Sequence, residues 1–328
     1  MKETNSDTGH IDLSGSSFLI TGGAGFIGSN IVEFLINNKA KLVRVLDNFA
    51  TGKMSNIAEF VHYNNFELLE GDIRDLATCQ RAVDGIDFVS HQAALGSVPR
   101  SINDPITTNQ VNIDGFLNVI TAARESGVRK IVYAASSSTY GDSKSRPKVE
   151  DVIGKPLSPY AVTKYVNELY AQVFSDIYGI NIIGLRYFNV FGPKQDPSGA
   201  YAAVIPLFMK AALSNEAPFI NGDGEQTRDF TYVDNAVEAN IKAFWTDITG
   251  HHVVNIACGH RISLNQLWDV IAKISKADVK PVYRESRQGD VRDSLADISK
   301  ARRLIDYIPK QSVMEGLDRT YKWYKQNA

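Results

Sequence analysis

From Ser16 to Tyr187 the chain alternates short apolar runs with amphipathic stretches. Ser16–Thr21 centres on Phe18, Leu19 and Ile20 and reads as a buried strand. Ser29–Asn38 then spaces Ile31, Val32, Phe34 and Leu35 along one helical face. The strand signal returns at Lys41–Leu46, Phe66–Glu70, Asp87–His91, Lys130–Ala135 and Asn181–Tyr187. Helical patterns lie between them, at Leu76–Val83, at about Pro105–Ser126 and from Pro159 onward. The second of these carries Ile113, Phe116, Leu117, Val119 and Ile120 on its apolar side. Ser158 suits an N-cap and Pro159 the first helical position, where a missing N–H costs nothing. Such alternation predicts a doubly wound α/β domain, a parallel sheet with helices on both faces.

Past Tyr187 the elements become shorter and mixed. Val204–Leu213 and Tyr232–Trp245 read as helices, Pro218–Asn221 as a short strand, and Val253–Ala257 as a strand that rejoins the main sheet. Ser263-Leu264-Asn265-Gln266 is a capping box ahead of a helix to about Ser275, and Leu317–Tyr324 is the last helix. No internal repeat or linker interrupts the chain, so the second part reads as a small lobe folded back on the first.

Chemistry gathers where strands end. Gly22-Gly23-Ala24-Gly25-Phe26-Ile27-Gly28 sits between the first strand and the first helix and fits both G-x-x-G-x-x-G and G-x-G-x-x-G. One glycine permits a tight turn, one lets backbone N–H groups approach a pyrophosphate, and one lets helix pack on strand. Asp47, at the end of the second strand and 19 residues past Gly28, is placed to bond both ribose hydroxyls of NAD and to repel the 2′-phosphate of NADP. NAD is the expected cofactor, held by Gly22, Gly25, Phe26, Ile27, Gly28, Asp47 and Asn48. Asp72 with Ile73, Ala93 with Ala94, and Tyr187 fall on the same carboxyl edge of the sheet, where ligands of such sheets bind. His91 lies inside a strand and reads as a packed side chain. Together these features predict a doubly wound parallel-sheet Rossmann domain over 15–187, with 232–260 returning to it. A smaller mixed α/β C-terminal substrate lobe is expected from 188–231 and 261–328.

Tyr160 and Lys164 stand four apart, on one face of the helix that Ser158 begins. The ammonium and the positive end of the helix dipole are expected to pull the phenol below its ordinary value of about 10. Tyr160 would then serve as a general base for a substrate hydroxyl. Ser136-Ser137-Ser138 follows the fifth strand on the same edge, and a hydroxyl from Ser136 or Ser138 could bridge the phenol and a substrate oxygen.

Composition narrows the partners. The chain has 328 residues, 44% of them hydrophobic and 22% charged, as in a soluble globular protein. A formal net charge of -2 gives no reason to expect nucleic acid or an anionic membrane surface. No apolar run approaches the roughly 20 residues of a membrane span, and Met1–Ser14 is polar, without the apolar core of a signal peptide. Cys79 and Cys258 have no metal-ligand spacing and read as buried thiols in a reducing cytosol; no metal site is expected.

These residues resemble the extended short-chain dehydrogenase/reductase family, and within it the UDP-sugar 4-epimerases. The carrying motifs are Thr21 to Gly28, Asp47-Asn48, Ser136 to Gly141, Tyr160-Ala161-Val162-Thr163-Lys164 and Arg186 to Pro193. Gly222-Asp223-Gly224, Arg228-Asp229-Phe230 and Arg287-Gln288-Gly289-Asp290-Val291 extend the match to about residue 300. The resemblance implies that NAD stays bound through the cycle, with Tyr160 as acid and base, Lys164 bridging the nicotinamide ribose and Ser136 supporting the sugar hydroxyl. It further implies that Asn189 holds the substrate phosphates, that Arg228 and Arg287 pair with the diphosphate, and that Asp290 holds the uridine ribose. Two arginines suit bidentate phosphate recognition. Gly96, Ser97, Ser137, Gln195 and Val204 complete the implied substrate pocket.

Related 4,6-dehydratases carry an Asp-Glu pair where this chain has Ser137-Ser138, and related decarboxylases a Glu. Without either carboxylate, the expected chemistry stops at oxidation and re-reduction of carbon 4. Ser294 falls where epimerases restricted to plain glucose and galactose have a bulky Tyr, leaving space for a 2-acetamido group. Gly96 to Ser101 and Gln195-Asp196-Pro197 also resemble the bacterial subgroup acting on UDP-N-acetylglucosamine and UDP-N-acetylgalactosamine. A UDP-glucuronate 4-epimerase, or its N-acetylated uronate counterpart, shares the catalytic set and stays open, as does a catalytically silent NAD-binding regulator. The helices near Pro105–Ser126 and Pro159–Tyr178 resemble those that pair subunits in the family, so a cytoplasmic homodimer is expected.

Overall fold

Strand β1 (Ser17–Thr21) is buried along its whole length, and its neighbours explain why. It lies between β2 (Leu42–Asp47) and β4 (Phe88–His91), both parallel to it. β3 (Phe66–Glu70) closes one edge beyond β2. On the other side follow β5 (Lys130–Ser136), β6 (Ile182–Tyr187) and a seventh parallel strand, His251–Ile256. The computed structural model describes residues 12–197, 202–285 and 293–327.

Because both faces of this sheet are covered, successive side chains enter opposite cores. Ile20 packs with Ile31 and Val32 of α1 (Phe26–Asn37), whereas Leu19 packs with Cys79 and Ala82 of α2 (Leu76–Val83). The second core is completed by Val111 and by Phe116, Val119 and Ile120, from a helical stretch whose segments run on from one another. After α3 (Val98–Asn103) come α4 (Pro105–Asn109), a single π turn at Gln110–Asp114 and α5 (Gly115–Glu125). The pattern expected one helix over Pro105–Ser126; the chain is helical throughout, but the π turn inserts a residue and shifts the register. α3 was not expected. It is short, and Ser97 caps it by accepting from Arg100 N.

α6 (Pro159–Tyr178) begins as its sequence requires, with Ser158 Oγ accepting from Ala161 N at 3.1 Å. Its inner face buries Ala161, Lys164, Glu168 and Ala171, an unusually polar set for a helix against a sheet. α7 (Val204–Ser214), α8 (Val233–Trp245), α9 (Leu264–Ser275), α10 (Ser299–Ile305) and α11 (Val313–Asn327) follow. α8 returns to the face of the sheet that carries α1, where Val237 and Ile241 enter the first core. α7, α9 and α11 form a third core around Phe191, Phe208, Trp268 and Leu317, with the Phe208 and Trp268 rings edge to face at 5.6 Å. The capping box at Ser263 and Gln266 is present. No helix among the described residues is long and apolar enough to cross a membrane.

Candidate active site

The carboxyl ends of the strands open into a cleft of about 630 Å³. Its floor is the glycine loop. Gly22 has φ +69°, and a Cβ there would lie 2.7 Å from Ala93 N; one on Gly28 would lie 2.2 Å from Gly22 O. Only glycines let the loop, α1 and the segment after β4 approach this closely. α1 is capped by Gly25, which has no side chain, so its first-turn N–H groups have no hydroxyl or carboxylate acceptor at that position. Such an end is suited to a pyrophosphate. Asp47 is nearly buried and accepts from Ala24 N at 2.9 Å and Phe49 N at 2.8 Å, which fixes its carboxylate at the cleft wall; burial outweighs these bonds and raises its pKa. Asp72 accepts from Asn48 Nδ2 and from Arg74, whose hydrogen bond is the main cause of a pKa lowered to about 2. These features fit a dinucleotide.

The cleft gathers Gly22, Gly25, Phe26, Ile27, Gly28, Asp47, Asn48, Asp72, Ile73, Ala93, Gly96, Ser97, Ser136, Ser137, Tyr160, Lys164, Tyr187, Asn189 and Gln195. Ser138, Val204, Arg228 and Ser294 are not on its wall. Ser138 stands behind Ser136, donating its hydroxyl to Ser136 Oγ at 2.8 Å, and Val204 is the first residue of α7 after the wall residue Ala203. Arg287 and Asp290 lie outside the described residues. A larger hollow of about 1150 Å³, between α1, α8 and α10, gathers none of the site residues expected from sequence.

Ser136 and Tyr160 share the cleft wall, Ser136 lowers the pKa of the phenol, and the Ser138 hydroxyl stands behind Ser136. Lys164 is buried and donates from Nζ to Ala134 O at 2.7 Å, which holds it under the end of β5. The expected depression of the phenol is not found in the protein alone: desolvation raises the pKa of Tyr160, and the Ser136 hydroxyl only offsets part of it. Spacing along a helix places the charge but says nothing of the water lost around the ring. Lys164 is itself pushed down to about 8 by burial, against the opposing charge of Glu168. His91 is buried, within 2.8 Å of Thr21 Oγ1, and desolvation holds it down at about 3; it is a packed neutral ring.

Several supporting residues escaped sequence reasoning. Asn112, in the π turn, donates to Thr163 Oγ1 at 3.0 Å and accepts from Leu95 N at 2.8 Å. Thr163 in turn donates to Tyr160 O, so the wall segment at Leu95 and the turn bearing Tyr160 are tied through one amide. Glu168, one turn past Lys164, is paired bidentately with Arg186 of β6 at 2.9 and 2.6 Å, both side chains nearly sealed from water. Arg186 also donates to Glu150 O. A carboxylate four residues past the lysine expected to be catalytic was the available signal.

On the lobe side, Asn189 sits at φ +39°, a conformation Asn tolerates better than most residues, and donates to Asp229 O at 2.9 Å. Asp229 is wholly buried and accepts from the N–H groups of Cys258, Gly259 and Ala296; desolvation still raises it to about 7. Its neighbours Thr227 and Arg228 lie beside Ser294, whose N–H donates to Thr227 O at 3.1 Å. Ser294 is half-buried. Gln195 donates to Val190 O, and its buried Oε1 has no hydrogen-bond partner among the described residues.

A glycine-floored cleft beside a Ser–Tyr–Lys group on a seven-stranded parallel sheet defines a nucleotide-dependent short-chain dehydrogenase/reductase fold. Residues 18–257 match the NAD dependent epimerase/dehydratase family. The chain belongs to that family, and its cofactor is NAD. It is 39% identical to a UDP-N-acetylglucosamine 4-epimerase from Methanobrevibacter ruminantium, solved with UDP-N-acetylmuramic acid, with a TM-score of 0.91 over 95% of this chain and 99% of that one. A UDP-glucose 4-epimerase from Thermotoga maritima, solved with UDP-glucose, is 37% identical at a TM-score of 0.89, with the same coverage of 95% and 99%. A UDP-glucuronic acid 4-epimerase from Bacillus cereus, solved with UDP-glucuronic acid and NAD, is 34% identical at a TM-score of 0.87, covering 95% and 100%. These relatives are isomerases.

Proposed function

We propose that the protein is a UDP-sugar 4-epimerase that prefers N-acetylhexosamines, interconverting UDP-N-acetylglucosamine and UDP-N-acetylgalactosamine. The relatives share 4-epimerisation and differ in the sugar, so the step at carbon 4 rests on the family and the preference on this chain's own residues. Bound NAD supplies the acceptor and later the donor of the hydride. Tyr160 takes the proton of the 4-hydroxyl while Ser136 holds that oxygen, and Ser138 backs Ser136. Lys164, charged and anchored at Ala134 O, stabilises the phenolate form of Tyr160 that accepts this proton. The 4-keto sugar turns about its diphosphate link so that carbon 4 presents its other face for re-reduction, and Tyr160 returns the proton to the carbon-4 oxygen. Asn189, Arg228, Arg287 and Asp290 are assigned to the nucleotide. Gln195 and Ser294 are assigned to the sugar.

The observation that carries the preference is the small side chain at Ser294, fixed by its own N–H beside Thr227 and Arg228. A small side chain at this position leaves room for an acetamido group. The test gives purified protein, with no added NAD, UDP-N-acetylgalactosamine, UDP-galactose and UDP-galacturonate in parallel and follows epimers by NMR. The acetamido sugar should turn over fastest, and Ser294→Tyr should abolish that turnover while sparing UDP-galactose. Equal loss of both, or turnover of the uronate alone, would reject the preference. Tyr160→Phe should keep bound NAD and lose turnover; retained turnover would reject the mechanism.

A homodimer is part of the same proposal. Val162, Leu169, Val173 and Ile177 form an exposed apolar stripe on α6, and Ile102 and Ile106, at 60% and 71% exposure, extend it. A stripe of this extent supports an interface between two copies of the chain. Sedimentation equilibrium should return twice the chain mass.

A further inference from the structure

Two ion pairs outside the reaction chemistry join the glycine-loop side of the cleft to the segment after Pro193. Lys53 Nζ lies 2.9 Å from Asp196 Oδ2, and Lys194 Nζ lies 2.7 Å from Glu33 Oε2 of α1. Lys53 ends the turn that starts at Asn48, and its N–H donates to Ala24 O at 3.0 Å, so it rides on the glycine loop. Thr51 and Asp196 both line the cleft. Lys194 is held at φ +68°, a conformation a lysine adopts only when its surroundings impose it. Here they do: its ammonium reaches Glu33 and lies 5.6 Å over the Phe60 ring, and Asn30 donates to Pro193 O. Tyr324 OH fastens the far side by donating to Gln195 O.

We propose that Lys53–Asp196 forms an electrostatic clasp at the rim of the cofactor cleft, that Lys194–Glu33 anchors the same segment to α1 behind it, and that together they slow the release of NAD. The clasp rests on the redox-neutral cycle proposed above, in which one dinucleotide serves successive turnovers and its retention has value. Asp196 is the informative residue. A lysine at this rim could act simply by attracting the pyrophosphate, but a carboxylate beside it would oppose that. A paired Asp196 is explained by closure between the two sides of the cleft.

Exposure sets the size of the effect. Lys53 and Asp196 are 52% and 38% exposed, so breaking their pair should change the release rate by about one-and-a-half- to fivefold. Lys194 is only 9% exposed, which puts its pair at the upper end, and loss of both should give about tenfold. The test loads the intact enzyme with labelled NAD, chases with unlabelled NAD in the absence of sugar, and recovers bound label by rapid filtration. Lys53→Met should release label faster, and Lys53→Met with Lys194→Met faster still. Release from the unaltered protein should accelerate between low salt and roughly 0.5 M, while the double variant stays flat, because such pairs are screened. Asp196→Asn separates the two roles of Lys53: a clasp predicts faster release, whereas direct attraction of the phosphates predicts slower or unchanged release and overturns the proposal. The swap Lys53→Asp with Asp196→Lys should restore the rate to within about twofold of the original. Failure of the swap together with unchanged release in the double variant would also overturn it. A wrong sugar assignment would leave every one of these rates untouched.

Discussion

Glu168→Gln is the substitution that probes the site most deeply without touching the cleft. Glu168 and Arg186 have side chains 6% and 4% exposed, and Gln removes one charge while leaving the other in place. Arg186 would keep only its bond to Glu150 O among its strong contacts, and the Glu150 carboxylate is already engaged by Asn255 N. Breaking a buried pair from one side costs about 3–5 kcal/mol. At about 2.1 cal/mol/K per residue, a chain of 328 residues has an unfolding entropy of roughly 0.7 kcal/mol/K, so Tm should fall by about 4–7 °C in a calorimetric scan. A second readout follows from Lys164. Its pKa is pushed to about 8 by burial, with Glu168 as the opposing charge. In the proposed mechanism Lys164 acts in its protonated form, so activity should be lost as pH rises through its pKa. Removing Glu168 lowers that pKa further, and the alkaline limb of kcat/KM should move to lower pH. Glu168→Leu with Arg186→Met removes both charges and should recover most of the Tm, since apolar replacements of buried pairs are often neutral or stabilising. It should not recover the alkaline limb. A Tm within about 1 °C of the original in the single variant, or an alkaline limb that stays put, would refute the reasoning.

Ser136→Ala removes the one hydroxyl that lowers the raised pKa of Tyr160. The acid limb of kcat should shift to higher pH and kcat should fall by about 10²-fold or more; a pH–rate profile with an unshifted limb would contradict this. Asp229→Asn tests a buried carboxyl whose pKa is raised from 3.8 to about 7. Its charged form is disfavoured by folding, so the native chain should lose stability relative to the Asn variant as pH rises from about 4 to about 7, whatever the fixed cost of the amide. A difference in Tm that stays constant across that window would refute the assignment.

Much of this was legible before any coordinates. Ser158-Pro159 and Ser263 with Gln266 start helices for reasons local to a few residues, and those helices start where the sequence places them. The glycine loop was equally plain, because the close approach of Gly22, Gly28 and Ala93 leaves no room for a side chain. What sequence missed depends on the third dimension. The helical face over Pro105–Ser126 continues through its register shift, so an apolar pattern alone could not show the π turn or the role of Asn112 within it. The direction of the Tyr160 shift was misjudged because spacing records neighbouring charge, while desolvation depends on everything packed around the ring. Glu168 and Arg186 are 18 residues apart on different elements, and only the packing of α6 on the sheet makes them a pair.

The sheet's last strand has a consequence for how the chain is made. β6 ends at Tyr187, and its outer partner, His251–Ile256, begins 64 residues later. On a ribosome moving at about 5–20 residues per second, the outer edge of β6 waits roughly 3–13 s for that partner to be synthesised. During that interval Ile182, Ile183 and Leu185 border a row of unpaired backbone groups, the kind of edge that recruits strands from other chains. Yield at high expression should therefore depend on how quickly residues 188–250 are translated, and slow codons in that stretch would favour aggregation of the nascent protein.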